Sequence, residues 1–245
     1  MRNIRIKIEY DGTDFEGWQK QRQKTRTVQG EIEKALRKIF GNTVKITGSG
    51  RTDSGVHAKE QVANFKVTSK IPLNNIKKAL NRYLPKDIAI VSLDEVNIDF
   101  HSRFDAKGKL YRYSIIDGDI RSPLLSRYVA FIPYKLNVKD MKIACKYFIG
   151  KKDFKSFQAS DKKHRPSIRT IKRLDIKEKD NIIEIYIKAD GFLYNMVRNI
   201  IGTLIDVGRG RTRPEYVRNI LSKRHRSFAG QTAPANGLCL VKVFY

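Results

Sequence analysis

Cysteine is nearly absent from this chain: Cys145 and Cys239 are the only two in 245 residues. That excludes a disulfide framework and a cluster of thiolate metal ligands. Acids are scarce beside bases, 25 against 50, and the formal net charge of +25 turns the chain toward anionic partners, nucleic acid foremost. Long apolar runs are missing too. Arg2, Arg5 and Lys7 interrupt the amino terminus, and the longest charge-free stretch, Ser227 to Val241, is broken by Gly, Gln, Pro and Asn. Neither a targeting segment nor a membrane span is expected, which places the protein in a reducing cytoplasm. No Pro/Ser-rich linker divides the chain. Its 40% hydrophobic and 10% aromatic content is that of a globular protein with a sizeable core.

What is present is periodic. Ile4, Ile6, Ile8 and Tyr10 alternate with charged residues, as a half-buried strand requires. After Thr27, a predicted cap, Val28, Ile32, Leu36 and Ile39 recur at helical spacing. The chain then runs through Val44–Ile46, a glycine-rich turn and the apolar Val62–Val67. A helix starting at Pro72 carries Leu73, Ile76, Leu80 and Tyr83, followed by strands near Ile88–Leu93 and Leu110–Ile116. This order, β-α-β-β-α-β, is that of a ferredoxin-like unit. The second half follows a similar plan. Val138, Met141, Cys145 and Phe148 form a helical stripe, and Ile171–Ile176 and Ile182–Lys188 flank a turn at Lys179–Asn181. Helices are predicted over 191–207 and 214–222, and a closing strand from Leu238. The fold class is therefore α+β: two related ferredoxin-like halves, 1–104 and 105–245, with a joined, mostly antiparallel central sheet flanked by helices and a basic cleft. Cys145 and Cys239 fall on apolar elements and read as core.

Three residues carry chemical interest. In Gly48-Ser49-Gly50-Arg51-Thr52-Asp53-Ser54-Gly55-Val56-His57-Ala58, glycines shape a turn that displays Asp53 beside Arg51. An isolated turn aspartate ordinarily bonds its own backbone. The Gly-Lys-Ser/Thr ending of a phosphate-binding loop is missing. Arg198 shares a helical face with Tyr194, Ile201 and Ile205, so its guanidinium needs a carboxylate, a bound phosphate or a route to solvent. Tyr111 alternates with Arg112 on a strand, facing the same way as Tyr113 and Ile115; a core position and a base-stacking platform both fit. Nine Lys/Arg against two acids between Lys151 and Arg173 mark an electrostatic footprint. His57, His101, His164 and His225 are too scattered for a metal site, His164 and His225 read as facing solvent or RNA, and Trp18 reads as a core anchor.

Several landmarks occur in order along nearly the whole chain: Glu9–Thr13 with Gly17-Trp18-Gln19, Val28-Gln29-Gly30, Gly50–Ala58, Arg103-Phe104, Tyr111-Arg112-Tyr113, Asn195–Gly202 and Thr232–Ala235 with Gly237-Leu238. Together they resemble the tRNA pseudouridine synthase A (TruA) family, with Ser54 where that family often has Ala. The resemblance implies isomerisation of uridine to pseudouridine at positions 38, 39 and 40 of the tRNA anticodon stem-loop, by a homodimer without cofactor or metal. It also implies that Asp53 is catalytic, that Tyr111 is the active-site tyrosine, and that Arg198 pairs with the aspartate. Arg51 stands ready to hold the distorted RNA. The two competing classes are a non-catalytic RNA-binding protein and a nucleic-acid glycosylase or nuclease; the latter lacks a second carboxylate beside Asp53.

Overall fold

The computed structural model describes residues 1–21, 25–160 and 166–245. They form two compact units, Met1–Lys107 with Cys239–Tyr245, and Gly108–Leu238. Both are mixed α/β structures built on mostly antiparallel sheet flanked by helices.

In the first unit the elements are β1 (Arg2–Tyr10), α1 (Val28–Phe40), β2 (Thr47–Gly48), β3 (His57–Val67), α2 (Leu73–Tyr83) and β4 (Ile88–Val96). β1 lies between β3 and β4 and is antiparallel to both, and β2 pairs with β3. The alternation in β1 is realised side chain by side chain: Ile4, Ile6 and Ile8 are fully buried, whereas Arg5 and Lys7 bond Asp94 and Glu60. Each isoleucine taken out of water contributes about 1.5–3 kcal/mol. α1 answers with Val28, Ile32, Ala35 and Leu36 on its buried face, and α2 with Ile76 and Leu80. Thr27 caps α1, its side-chain oxygen accepting from the Gly30 N–H at 3.2 Å. Gly41 ends it with φ 74°, a conformation that favours glycine.

The closing strand, Leu238–Phe244, belongs mainly to this first unit, away from its neighbours in sequence. Cys239 and Leu240 pair in parallel with His57 and Ala58 of β3, and the Phe244 carbonyl accepts from Lys107 N–H at 2.8 Å. A strand at the far end of the sequence thus braces the start of β3, immediately after the glycine-rich turn.

The second unit contains β5 (Gly108–Asp117), β6 (Ala130–Ile132), α3 (Val138–Phe148), β7 (Gly150–Asp153), β8 (Ile168–Lys179), β9 (Ile182–Ala189), α4 (Met196–Gly208) and α5 (Tyr216–Lys223). Its strand order is β6-β5-β9-β8-β7, with only β5 and β6 parallel. β8 and β9 form the expected hairpin. Asp180 and Asn181 both have positive φ, 50° and 61°, the backbone of a type I′ turn whose twist suits the flanking strands.

The helix predicted over 191–207 is shorter at its start. Asn195 takes a left-handed φ of 56°, the Leu193 carbonyl accepts from Met196 N–H, and the Tyr194 carbonyl accepts from Ala159 N–H at 3.0 Å. Phe192, Leu193 and Tyr194 prolong the apolar pattern, but the chain spends them on a turn. Tyr194 therefore does not share the helical face of Arg198, and is half-exposed. From Met196 onward α4 is buried almost all round, the mark of a central helix.

Candidate active-site residues

Arg51 and Asp53 sit on one turn of the first unit. The turn is held by the segment after β1. Trp18 N–H donates to the Thr52 carbonyl at 3.1 Å, while the Phe15 carbonyl accepts from Ser54 Oγ at 3.1 Å and from Gly55 N–H at 3.3 Å. The two strips lie so close that a Cβ at Gly12 would meet the Val56 carbonyl oxygen at 2.1 Å. Gly55, with φ 76°, turns the chain, and Val56 N–H bonds back to the Asp53 carbonyl at 3.2 Å. Trp18 is buried, as expected of a core anchor, with its ring filling the space a side chain at Gly48 would need.

Two buried polar residues fix the near side of the turn. Gln61 is fully buried; its Oε1 accepts from Ser49 Oγ at 2.7 Å and Val62 N–H at 3.1 Å, and its Nε2 donates to the Gly50 carbonyl at 3.1 Å. Tyr10 and Thr52 share a buried hydroxyl–hydroxyl bond of 2.7 Å, and burial pushes the Tyr10 phenol well above its ordinary pKa. Residues 49, 50 and 52 are thus immobilised, and the turn displays an exposed Arg51 and a half-buried Asp53. Arg51 is oriented in its turn: Nε donates to Gln19 Oε1 at 3.0 Å, and Gln19 Nε2 donates to Gln29 Oε1 at 2.6 Å.

Tyr111 and Arg198 lie in the second unit. Tyr111 is buried on β5 opposite Ile187, its ring edge-on to Phe192 with centroids 5.3 Å apart. Arg112 takes the opposite face and pairs with Glu184. Half-buried Arg198 donates from Nε to the Ala233 carbonyl at 2.7 Å and from Nη1 to Asn195 Oδ1 at 3.4 Å. The next carbonyl, Pro234, accepts from the Tyr113 hydroxyl at 2.9 Å. Arg198 and Tyr113 therefore grip consecutive residues of one loop. Burial raises the Tyr113 pKa, with the Arg198 charge opposing the shift.

That loop is seated on α4 by groups that composition alone does not reveal. Buried Asn199 Oδ1 accepts from Thr232 Oγ1 at 2.7 Å and Arg226 Nη2 at 3.0 Å, and Asn199 Nδ2 donates to the Phe157 carbonyl. Gly202 permits the approach, since a Cβ there would lie 1.7 Å from the Gln231 carbonyl oxygen. Gly202→Ala is accordingly expected to lower stability by about 1–3 kcal/mol or more, the cost of overpacking against rigid backbone. Urea unfolding checks this; an unchanged midpoint would mean that the loop yields freely.

Cys145 and Cys239 are buried, and burial pushes the Cys145 thiol up to about 12, too high for a nucleophile. His225 is exposed, with Nδ1 2.7 Å from Ser227 Oγ. His164, together with Asp161, Lys162, Lys163 and Arg165 of the basic stretch, lies outside the described residues.

The tRNA pseudouridine synthase family model matches residues 6–105 and 144–245. The chain belongs to the tRNA pseudouridine synthase family. Arg51, Asp53 and Arg198 fall inside the matched segments; Tyr111 falls between them. Relatives named tRNA pseudouridine synthase match end to end. A "tRNA pseudouridine synthase A 2" of Clostridium perfringens is 51% identical over 245 residues, covering 100% of both chains. A "tRNA pseudouridine synthase A" of Clostridium botulinum (strain Eklund 17B / Type B) is 49% identical, and one of Acetivibrio thermocellus 46%, each over the full length of both. No helix among the described residues is long and apolar enough to cross a membrane.

Proposed function

We propose that the protein isomerises uridine to pseudouridine at positions 38, 39 and 40 of the tRNA anticodon stem-loop, as a cytoplasmic homodimer whose subunit is built from two ferredoxin-like halves. The observation that carries the reading is the clamped turn of residues 48–58, which presents one carboxylate from a rigid frame in a chain of net charge +25. The family match over residues 6–105 and 144–245, with relatives that match end to end, supports the reaction class.

The reaction breaks the C1′–N1 glycosidic bond, rotates the detached uracil and forms a C1′–C5 bond; the proton on C5 leaves and N1 gains one, so atoms balance without a co-reactant. The base must first leave its stack, at a cost of about a few kcal/mol, offset by contacts to the flipped nucleotide and backbone. In this reading Arg51 holds the distorted backbone. Asp53 acts at the ribose or the ring, or assists bond cleavage, and Arg198 keeps it ionised and oriented. Tyr111 covers the uracil, helps exclude water and serves the departure of the C5 proton.

Release of tritium from tRNA labelled at uridine C5 tests the reading. The wild-type protein is expected to release it without cutting the chain or freeing base. Tyr111→Phe, which keeps the ring, is expected to slow release about a hundredfold at unchanged tRNA affinity. A Phe variant turning over at the wild-type rate would reduce Tyr111 to a stacking platform. No release by the wild type, with tight tRNA binding, would make the protein a non-catalytic RNA binder.

A further inference from the structure

On the Gly108–Leu238 unit a cavity of about 740 Å³ opens between α3, β7 and the end of α5, lined by Lys146, Tyr147, Lys152, Asp153, Arg218 and Arg224 among others. None of these residues belongs to the landmarks that carry Asp53, Tyr111 or Arg198. β7 is also three strands from β5, which carries Tyr111, or about 14 Å at ~4.8 Å per strand.

Four cations face a single carboxylate, and that carboxylate is already committed. Asp153 accepts from Arg224 Nε at 3.0 Å, from Ser167 Oγ at 2.6 Å and from Lys155 N–H at 3.0 Å. Arg218 lies over the Tyr147 ring, 4.6 Å from its centroid, so its guanidinium is fixed by a contact that leaves its charge uncompensated by any acid lining the cavity. Arg224 takes a left-handed φ of 50° at the end of α5, where a glycine would sit with less strain, and its side chain reaches Asp153 across the rim. Lys146 is exposed and Lys152 half-buried, so both ammonium groups stay near water, where a phosphate oxygen can reach them.

We propose that this cavity is a docking surface for the phosphodiester backbone of the RNA substrate, on a part of the unit that carries none of the candidate site residues. It rests on the reading of the protein as a tRNA-modifying enzyme. The surface reads no bases: it adds electrostatic affinity and orientation, and it releases condensed counterions when occupied.

The test is the salt dependence of tRNA binding, measured for the wild type, for the triple variant Lys146→Gln/Lys152→Gln/Arg218→Gln, and for a control with equal charge loss, Lys45→Gln/Lys70→Gln/Lys86→Gln. Arg224 is left in place because it ties Asp153. If the three cavity cations each meet a phosphate, the slope of log affinity against log salt should become shallower by about 2–3, with affinity near 100 mM salt reduced tenfold or more. The control should change the slope by less than one. Equal changes in both triple variants would mean that only net charge matters, and an unchanged slope in the cavity variant would mean that RNA does not reach it; either overturns the proposal. Thermal unfolding separates binding loss from misfolding, with single Lys146→Gln and Lys152→Gln variants carrying the test if the triple variant is unstable. Tritium release by the wild type, read in parallel, shows whether the enzymatic reading itself stands.

Discussion

Replacing Asp53 with asparagine is expected to abolish pseudouridine formation, lowering the rate by roughly a thousandfold or more, while leaving tRNA affinity within a few-fold of wild type. The amide keeps the volume and shape of the carboxylate and removes its charge and nucleophilic oxygen. The backbone bonds that shape the turn run through the Thr52 carbonyl, Ser54 Oγ, Gly55 N–H and Val56 N–H, so the substitution leaves them in place. Single-turnover conversion and filter binding, measured on the same preparation, check both halves of the expectation. Activity within tenfold of wild type would remove Asp53 from the chemistry.

Arg198→Met is expected to cost about two to three orders of magnitude in rate with a limited change in binding. Methionine can replace the apolar stem, but it supplies neither the charge that the proposed pairing with Asp53 requires nor the donor that meets the Ala233 carbonyl at 2.7 Å. Arg198→Lys should recover only part of the loss, because an ammonium keeps the charge and lacks the planar fork. The discriminating readout is the pH profile of the rate. If Arg198 lowers the pKa of Asp53, the acidic limb should move to higher pH in the methionine variant: a carboxylate without its cation protonates earlier as pH falls. A slower variant with an unmoved limb would confine Arg198 to supporting the loop.

Where one local rule decides, the sequence reads directly as structure. The alternation of Ile4, Ile6 and Ile8 specifies β1, Thr27 places the start of α1, and Lys179–Asn181 announces the hairpin that Asp180 and Asn181 close with left-handed backbone. Legibility fails where tertiary contacts decide. β2, β6 and β7 are two to four residues long, too short for any periodicity, and exist because β3, β5 and β8 offer them an edge. The first turn predicted for α4 is absent because backbone groups of Leu193 and Tyr194 are used elsewhere. The candidate site divides in the same way. Asp53 and Arg51 stand out on their glycine-rich turn, but Gln61, Asn199 and Arg226, which hold the turn and the 229–235 loop, carry no spacing signal: Gln61 bonds the Gly50 carbonyl, Asn199 the Phe157 carbonyl and the Thr232 hydroxyl, and Arg226 the Asn199 side chain, partners set by tertiary packing and not by any periodicity.

Every residue role assigned above depends on conversion of specific uridines in tRNA. That conversion is tested most directly by nucleoside analysis and site mapping of an unmodified tRNA before and after incubation with the protein alone, without added metal or cofactor. The expected result is loss of uridine matched one for one by pseudouridine at positions 38, 39 or 40, with the chain length unchanged. Uridines left intact at all three positions, or loss of uridine accompanied by released uracil or cut strands, would contradict it.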